Sequence, residues 1–414
     1  MRTATLDILR CPYCGGRLEL VTSLFHRRSA DDIEDGILGC PCCTFPVVDG
    51  IPVMHLADAS ARASAHVQAG RPDLARSAMF GLDDDAAAAR LADIVASTTA
   101  THRDVVDTLG PHFEGGYFLY RFSDPTYVVA HAVVRAVAGT VLARGGRAID
   151  ICGGAGHLTR ALLDLSTPPP VLADLYFSKI WLARRFTAPG CEGVCCDGNA
   201  PLPFARGAFR YAMCTDAFMY MWMKRQLVGE MARLIDDGMD GAILIGHAHN
   251  ARTWSPSQGQ ALAPEEYRNL FETVEPRIFA EAGLFEDVVV RGALDLGRRD
   301  TPDALDADPA LTMIASRNAA VFGPHPVEAP VAPRGEYRVN PLYVVDETGD
   351  RATLRLQFPS ADYEDEYGAC RRYLPDEVVV DRAILTALGR SPLPAAVAEL
   401  VRQRVILDLP ARYY

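Results

Sequence analysis

The stretch Arg147-Ala-Ile-Asp-Ile-Cys-Gly-Gly-Ala-Gly-His157 constrains this chain more than any other, because it reads as a buried strand delivered into a glycine turn that opens a helix. Ala148 and Ile149 continue an apolar run and Asp150 ends it. Gly153, Gly154 and Gly156 let the backbone bend tightly and approach a ligand without Cβ collisions. Leu158, Leu162 and Leu163 then follow at helical spacing. A turn of this kind holds a cofactor.

The next segments repeat the rhythm. Val171-Leu-Ala ends in Asp174, where an acid suits ribose hydroxyls, and leads through Leu175 into a helix capped at Ser178. Gly193-Val-Cys-Cys ends in Asp197, followed by Gly198, and Phe209-Arg-Tyr-Ala-Met-Cys-Thr-Asp216 supplies a fourth strand. Acids stand at the ends of three consecutive strands.

On these residues, roughly 117 to 291 resemble a class I S-adenosylmethionine-dependent methyltransferase. The family's first motif, Asp-x-Gly-x-Gly-x-Gly, corresponds to Asp150-Ile-Cys-Gly-Gly-Ala-Gly156, with Cys152 in place of the first glycine; this substitution is tolerable with Cys152 at negative φ. Glu230-Met-Ala-Arg-Leu-Ile-Asp-Asp-Gly-Met-Asp-Gly-Ala-Ile-Leu-Ile matches the family's following helix and fifth strand. The resemblance implies that Asp150, Cys152, Gly153, Gly154 and Gly156 cradle the methionine portion of S-adenosylmethionine. Asp174 and Leu175 would meet the ribose, Asp197 and Gly198 the adenine, and Thr215 would face the same site. Tyr117, Tyr120 and Arg121 would close over the cofactor, with Arg121 near its carboxylate.

The amino-terminal segment carries Cys11-Pro-Tyr-Cys14 and Cys40-Pro-Cys-Cys43. Two such knuckles can wrap one tetrahedral Zn²⁺ with four thiolates, which gives Cys11, Cys14, Cys40 and Cys43 as structural ligands. Cys42 is a further candidate, able to replace Cys40 or Cys43. Nothing marks the chain as secreted, so disulfides are disfavoured. Leu6-Asp-Ile-Leu-Arg-Cys-Pro-Tyr-Cys-Gly-Gly-Arg-Leu18 and Phe45-Pro-Val-Val-Asp-Gly-Ile-Pro-Val-Met54 resemble the small zinc-ribbon proteins that activate tRNA, ribosomal and release-factor methyltransferases. Fusion of such a module to an enzyme raises its effective concentration without new contacts.

Composition narrows the class. The 414 residues, 49% of them hydrophobic, can bury two or three domain cores. No apolar stretch reaches membrane-spanning length and the start lacks a secretory pattern, which places the chain in the cytoplasm. A net charge of −12 disfavours a broad nucleic-acid-binding surface, and Arg184-Arg185 and Arg298-Arg299 read as solvated surface.

The expected organisation is a zinc ribbon over 1–58, a helical linker over 59–116, a methyltransferase domain over 117–297, a linker over 298–334 and an α+β appendage over 335–414. The fold class is α/β, with a Rossmann-like seven-stranded methyltransferase sheet between the two smaller parts. Leu284-Phe-Glu-Asp-Val-Val-Val-Arg291 would be a late antiparallel strand. In the appendage, Asp346-Glu-Thr-Gly-Asp350 marks a hairpin and Pro394 to Arg404 a helix. Such an appendage can recognise substrate, mediate homo-oligomer formation or cover the active site.

Substrate-facing groups should follow the fourth and fifth strands. Thr215-Asp-Ala-Phe-Met-Tyr-Met-Trp-Met223 either lines an apolar pocket or packs into the core. His247 and His249, two residues apart, would project from one face of extended backbone, where either can take a proton from a hydroxyl or amine. His157 would sit in a first helical turn near the cofactor. The resulting reading is methyl transfer to an O, N or C nucleophile of a small molecule. The alternatives are methylation of tRNA or a translation protein, weakened by the absence of Asn-Pro-Pro-Tyr after the fourth strand, and a non-methylating scaffold.

Overall fold

In the computed structural model, the described residues are 1–21, 25–82, 84–110, 116–235, 240–255, 259–327, 334–388 and 395–414. Residues 111–115 of the expected helical linker, the side chain of Tyr117 and the helix start at Pro394 lie outside them.

The ribbon is built from β1 (Ile33–Gly39), β2 (Thr44–Val48) and β3 (Ile51–Pro52), an antiparallel meander. Four helices follow: α1 (Asp58–Gln68), α2 (Pro72–Phe80), α3 (Asp85–Ala96) and α4 (His102–Leu109). Alanine-rich sequence favours them. Asp84 accepts from the Ala86 and Ala87 amides at the start of α3, and a Thr101/Asp104 capping box starts α4. A 3-10 segment, Gly116–Ser123, then leads into α5 (Pro125–Val141), which is capped by Asp124.

The central sheet contains β4 (Ala148–Ile151), β5 (Val171–Asp174), β6 (Glu192–Cys195), β7 (Tyr211–Thr215), β8 (Ala242–His249), β9 (Arg277–Ala280) and β10 (Ala310–Ser316). Their order is β6-β5-β4-β7-β8-β10-β9, with β10 antiparallel to both neighbours. Strands β4 to β8 run parallel and are buried on both faces, hence their unbroken apolar sequence. The order reverses between β4 and β7, and this switch point opens a crevice at the carboxyl edge. Helix α6 (Phe177–Leu182) covers β5 and β6. Helix α7 (Lys224–Leu234) precedes β8.

Three expectations need correction. The sheet takes β10 from within the expected 298–334 linker, so the sheet domain extends past residue 297. The expected strand Leu284–Arg291 is helical, because Leu284, Phe285 and Val288 bury at helical spacing while Val290 faces solvent. After the glycine turn comes only a 3-10 turn, Thr159–Leu162, where Thr159 bonds inward to Asp150 and Arg160 pairs with Asp408.

The appendage contains β11 (Glu336–Val339), β12 (Tyr343–Thr348), β13 (Arg351–Leu356), β14 (Glu377–Asp381), a helix at Ala395–Arg402 and β15 (Ile406–Leu409). The expected hairpin is β12–β13. Strand β15 pairs with β11 and sends Leu407 and Leu409 into the core around α5.

The ribbon is docked on the sheet by main-chain bonds. Val53 bridges Cys195 in parallel, the Met54 amide donates to the Cys195 carbonyl at 2.7 Å, and Ala205 donates to Ile8 at 2.7 Å. This covers the edge of β6. Ile51, Val53, Ile180, Leu182 and Val48 share one fully buried cluster, each gaining about 1.5–3 kcal/mol relative to exposure. Asp49, in the β2–β3 turn, accepts from Trp181 Nε1 at 2.9 Å and pairs with Arg76, while Arg184 donates to its carbonyl. Arg185 likewise reaches the carbonyls that end α3. The Arg184-Arg185 pair is therefore an internal fastening and not solvated surface.

At Gly193 of β6 the sheet, α6 and the ribbon meet closely. A Cβ there would overlap Ile180 and stand 2.9 Å from Arg184 Cδ. Gly193→Ala is expected to cost roughly 1–3 kcal/mol of stability, measured by denaturant unfolding; an unchanged midpoint would contradict the close packing of ribbon, α6 and β6.

Candidate active site at the carboxyl edge

The glycine turn lies at the switch point. Asp150 is buried at the end of β4, where one carboxylate oxygen accepts from Thr159 Oγ1 at 2.6 Å and the other has no protein partner. Burial pushes its carboxyl up to about 7, against the Thr159 hydrogen bond and with help from nearby Asp174. Gly153 sits directly over it: a Cβ would lie 2.6 Å from Asp150 Cγ. Asp174 ends β5 and accepts from the Gly154 amide and the Tyr176 amide, both at 2.9 Å. That bond clamps the turn to the neighbouring strand and leaves further lone pairs on the same carboxylate. The helix after it starts with Tyr176 at the cap position and not with Ser178.

Asp197 follows β6 and accepts from the Asn199 amide at 2.8 Å, and Gly198 beside it is buried. Asn199 in turn accepts from the Trp222 amide at 2.7 Å, tying the loop after β6 to the loop after β7. Leu175 is exposed next to Asp174, and Thr215 ends β7 with its methyl toward Gly246. Asp150, Gly153, Gly154, Asp174, Leu175, Asp197, Gly198 and Thr215 thus stand at the carboxyl ends of β4 to β7, and Gly156 closes the turn. His55, at the ribbon's exit, adds a ring 3.5 Å from Cys195 Sγ, which its sequence position gave no reason to expect.

Cys152 departs from expectation. Its φ is +59°, a left-handed conformation that glycine takes at little cost, and its Sγ lies 4.0 Å from Met221 Sδ. Asp216 after β7 and His247 in β8 are also left-handed, at φ 54° and 50°. Three non-glycine residues at the ends of adjacent strands carry this strain, at about 1–3 kcal/mol each.

The histidines do not follow regular strand alternation. The β8–β10 register shifts between Ile245 and Ala248, so His247 sits on a bulge. Its Nδ1 is 2.7 Å from Glu281 Oε2, and its amide donates to Glu281 Oε1 at 2.9 Å. Thr312 also donates to Glu281, at 2.9 Å. The rings of His247 and His249 are 5.5 Å apart, but His249 is buried and only its neighbour keeps an edge toward solvent. Burial opposes charge on both members of the His247–Glu281 pair. The pairing prevails, raising His247 to about 9 and lowering Glu281.

Arg121 is fixed by Asp124 at 3.2 Å and by Asp216 at 2.7 Å. Two of its guanidinium nitrogens are therefore committed to protein carboxylates, one of them Asp216 at the edge itself. His157 is buried away from the helix start, with Nε2 2.6 Å from Tyr413 Oη. Beyond β7, Phe218 and Met219 pack inward while Tyr220, Trp222 and Met223 are exposed, as is Trp254 beyond β8. The segment after the fourth strand thus divides between core packing at Phe218 and Met219 and exposed apolar side chains at Tyr220, Trp222 and Met223. Asp216 and Glu281 are functional candidates that sequence spacing did not select, and only the bulge brings Glu281 to His247.

In the ribbon, the sulfurs of Cys11, Cys14, Cys40 and Cys42 lie within 4.8 Å of one another. This cluster of four includes Cys42, where Cys43 was expected. The turn closed by the Cys40 amide on the Cys43 carbonyl aims Cys42 at Cys11, 3.6 Å away, while Cys43 packs against the core.

No protein-family model and no curated protein matches the chain. Among solved structures, the YcgJ protein from Bacillus subtilis matches at 16% identity over 42% of this chain and 92% of that one, with a TM-score of 0.30. A chain of the complex between the Haloferax volcanii Trm112 methyltransferase activator and a methyltransferase matches at 18% identity over 44% and 88%, with a TM-score of 0.32. Geranyl diphosphate C-methyltransferase from Streptomyces coelicolor A3(2) matches at 16% over 41% and 70%, with a TM-score of 0.31. Likeness at this level carries no functional argument, and the fold rests on the strand order and the antiparallel β10. The chain has the class I methyltransferase fold. Among the described residues, no helix is long and apolar enough to cross a membrane.

The His247–Glu281 pair has a pH signature. Because the folded imidazole titrates near 9, above its ordinary 6.5, its stabilisation is full below pH 6.5 and is lost as pH rises through about 9. Glu281 contributes above its ordinary 4.5, and this is lost as pH falls through its lowered folded value. Glu281→Gln is expected to bring the His247 titration, followed by NMR, well down from about 9, since burial and Arg121 are then opposed only by Asp216. A midpoint remaining near 9 would refute the pairing.

Proposed function

We propose that the protein is an S-adenosylmethionine-dependent methyltransferase acting on an O, N or C nucleophile of a small, largely apolar molecule. The observation that carries this reading is that Asp150, Asp174, Asp197 and the glycine turn stand together at the carboxyl ends of adjacent strands at the switch point, with one buried Asp150 oxygen left without a protein partner. Buried carboxylate oxygens without partners are uncommon, and the same carboxylate packs so closely against the glycine turn that a Cβ on Gly153 would collide with it. Asp150 with the turn would hold the amino-acid end of the cofactor, Asp174 the ribose and Asp197 the adenine edge. When bound, S-adenosylmethionine supplies an electrophilic sulfonium methyl group.

The chain's own residues would align the acceptor and manage its proton. In this reading His247 Nε2 takes the acceptor's proton when the ring is neutral, so transfer is expected to strengthen as pH rises toward about 9. Glu281 fixes the ring and raises its basicity, which suits a weakly acidic hydroxyl or an enol. Asp216, held by Arg121, orients the acceptor from the β7 side. Tyr220, Trp222, Met223 and Trp254 offer it an apolar rim. The same rim argues against RNA, which would call for cationic groups beside the pocket.

Calorimetry with S-adenosylhomocysteine should show binding, weakened roughly tenfold or more by Asp197→Ala, the scale of one hydrogen bond to a charged group. Labelled cofactor incubated with cell extract should then place label in the small-molecule fraction. Label in RNA or protein would favour the translation-linked alternative, and binding without transfer the scaffold.

For the ribbon, the proposed occupant is one structural Zn²⁺ held by Cys11, Cys14, Cys40 and Cys42. Tetrahedral Zn–S bonds of about 2.3 Å separate sulfurs by roughly 3.8 Å; the Cys11–Cys42, Cys14–Cys40 and Cys40–Cys42 separations are 3.5–3.7 Å, and all four sulfurs lie within 4.8 Å of one another. Cys42→Ser is expected to lose most bound zinc in elemental analysis while Cys43→Ser retains it; the opposite result would restore Cys43 as ligand.

A further inference from the structure

The appendage grips the Gly116–Ser123 segment, which crosses the carboxyl edge like a strap. Tyr413 Oη donates to the Phe118 carbonyl at 2.9 Å, Tyr414 Oη donates to that of Leu119, and Tyr373 Oη donates to that of Ser123 at 2.6 Å. Cys370 Sγ approaches the same Ser123 carbonyl at 3.4 Å, and Ser123 Oγ donates to Asn340 Oδ1 at 2.9 Å. Every one of these partners belongs to the appendage. A 3-10 turn leaves carbonyls poorly satisfied within itself, so side chains from elsewhere can decide where it lies.

Each end of the strap touches the candidate site. At one end, Phe118 stacks near His157, which follows the glycine turn, and Lys179 Nζ stands 5.2 Å from the Phe118 ring and 5.4 Å from that of Tyr176, two residues past Asp174. Tyr413 has one hydroxyl proton and gives it to Phe118. It therefore accepts from the Nε2–H of His157, whose buried ring is held neutral. At the other end, Arg121 reaches Asp216.

We propose that the appendage is the positioning element of the active site, with Tyr413 and Tyr373 as positioning residues that set the strap over the cofactor and acceptor edges. The inference about the site rests on the methyltransferase reading above. The anchoring itself does not.

Tyr373→Phe and Tyr413→Phe keep both rings and delete the two hydroxyls. Tyr343→Phe is the control, since its hydroxyl donates to Pro375 at 2.7 Å within the appendage and touches no strap atom. Hydrogen–deuterium exchange of amides 118–124 is expected to accelerate about tenfold in the first two variants and to stay at the wild-type rate in the control, with β8 unchanged in all three. Calorimetry should show S-adenosylhomocysteine binding several-fold weaker in Tyr413→Phe and unaltered in Tyr343→Phe. Strap exchange at the wild-type rate, or equally raised in all three variants, overturns the anchoring. Faster strap exchange with unaltered affinity in Tyr413→Phe overturns its role at the cofactor edge. Absence of binding by the wild-type protein refutes the methyltransferase reading, and the exchange comparison still decides the anchoring.

Discussion

Strand β6 ends the parallel side of the sheet, and its unpaired main-chain groups would offer a template to another strand unless they were covered. The ribbon does this with backbone of its own: Val53 and Met54 run alongside Cys195, and Ile8 to Arg10 run alongside Pro203 to Ala205. The contact is short, but it decides where everything amino-terminal to the sheet can go. Asp49 follows into the space between Trp181, Arg184 and Arg76, and α1 and α2 close the layer over it. A ribbon joined only by a flexible linker would have none of this order.

The opposite, carboxyl edge is organised by charge and strain. The parallel strands deliver acids to the carboxyl edge, where Asp150 is buried with one oxygen unpaired and each oxygen of Asp174 accepts from a backbone amide. Further along, Arg121–Asp216 and His247–Glu281 form two ion pairs side by side. Neither is a strong source of stability once desolvation is counted. Their value lies in direction, since each fixes one group that borders the crevice. Left-handed backbone at Cys152, Asp216 and His247 fits the same picture, because such conformations persist only where surroundings enforce them.

Much of this was legible in the chain. The acids at 150, 174 and 197 follow buried apolar runs, and the cysteine knuckles announce a metal-sized cluster, because both patterns are local and the physics behind them acts over a few residues. The late strands were misplaced for the same reason. Leu284 to Arg291 is rich in valine and looks extended, yet the helical spacing of its buried members won. Strand β10 lay hidden in a region taken for linker because its neighbours in the sheet, β8 and β9, precede it by dozens of residues. The choice between Cys42 and Cys43 turned on one backbone bond at the knuckle, below the resolution of spacing.

The sequence by itself determined the parallel strands, the glycine turn, the order of the acids and the gathering of cysteines into one ribbon, since period, turn chemistry and burial are written residue by residue. Only the tertiary structure decided that Glu281 would meet His247, that Arg121 would be spent on Asp216, and that tyrosines near residue 413 would hold a strap near residue 118. Those contacts join residues 34 to 295 positions apart. Their partners are chosen by how sheet, ribbon and appendage pack, and no local preference encodes that choice.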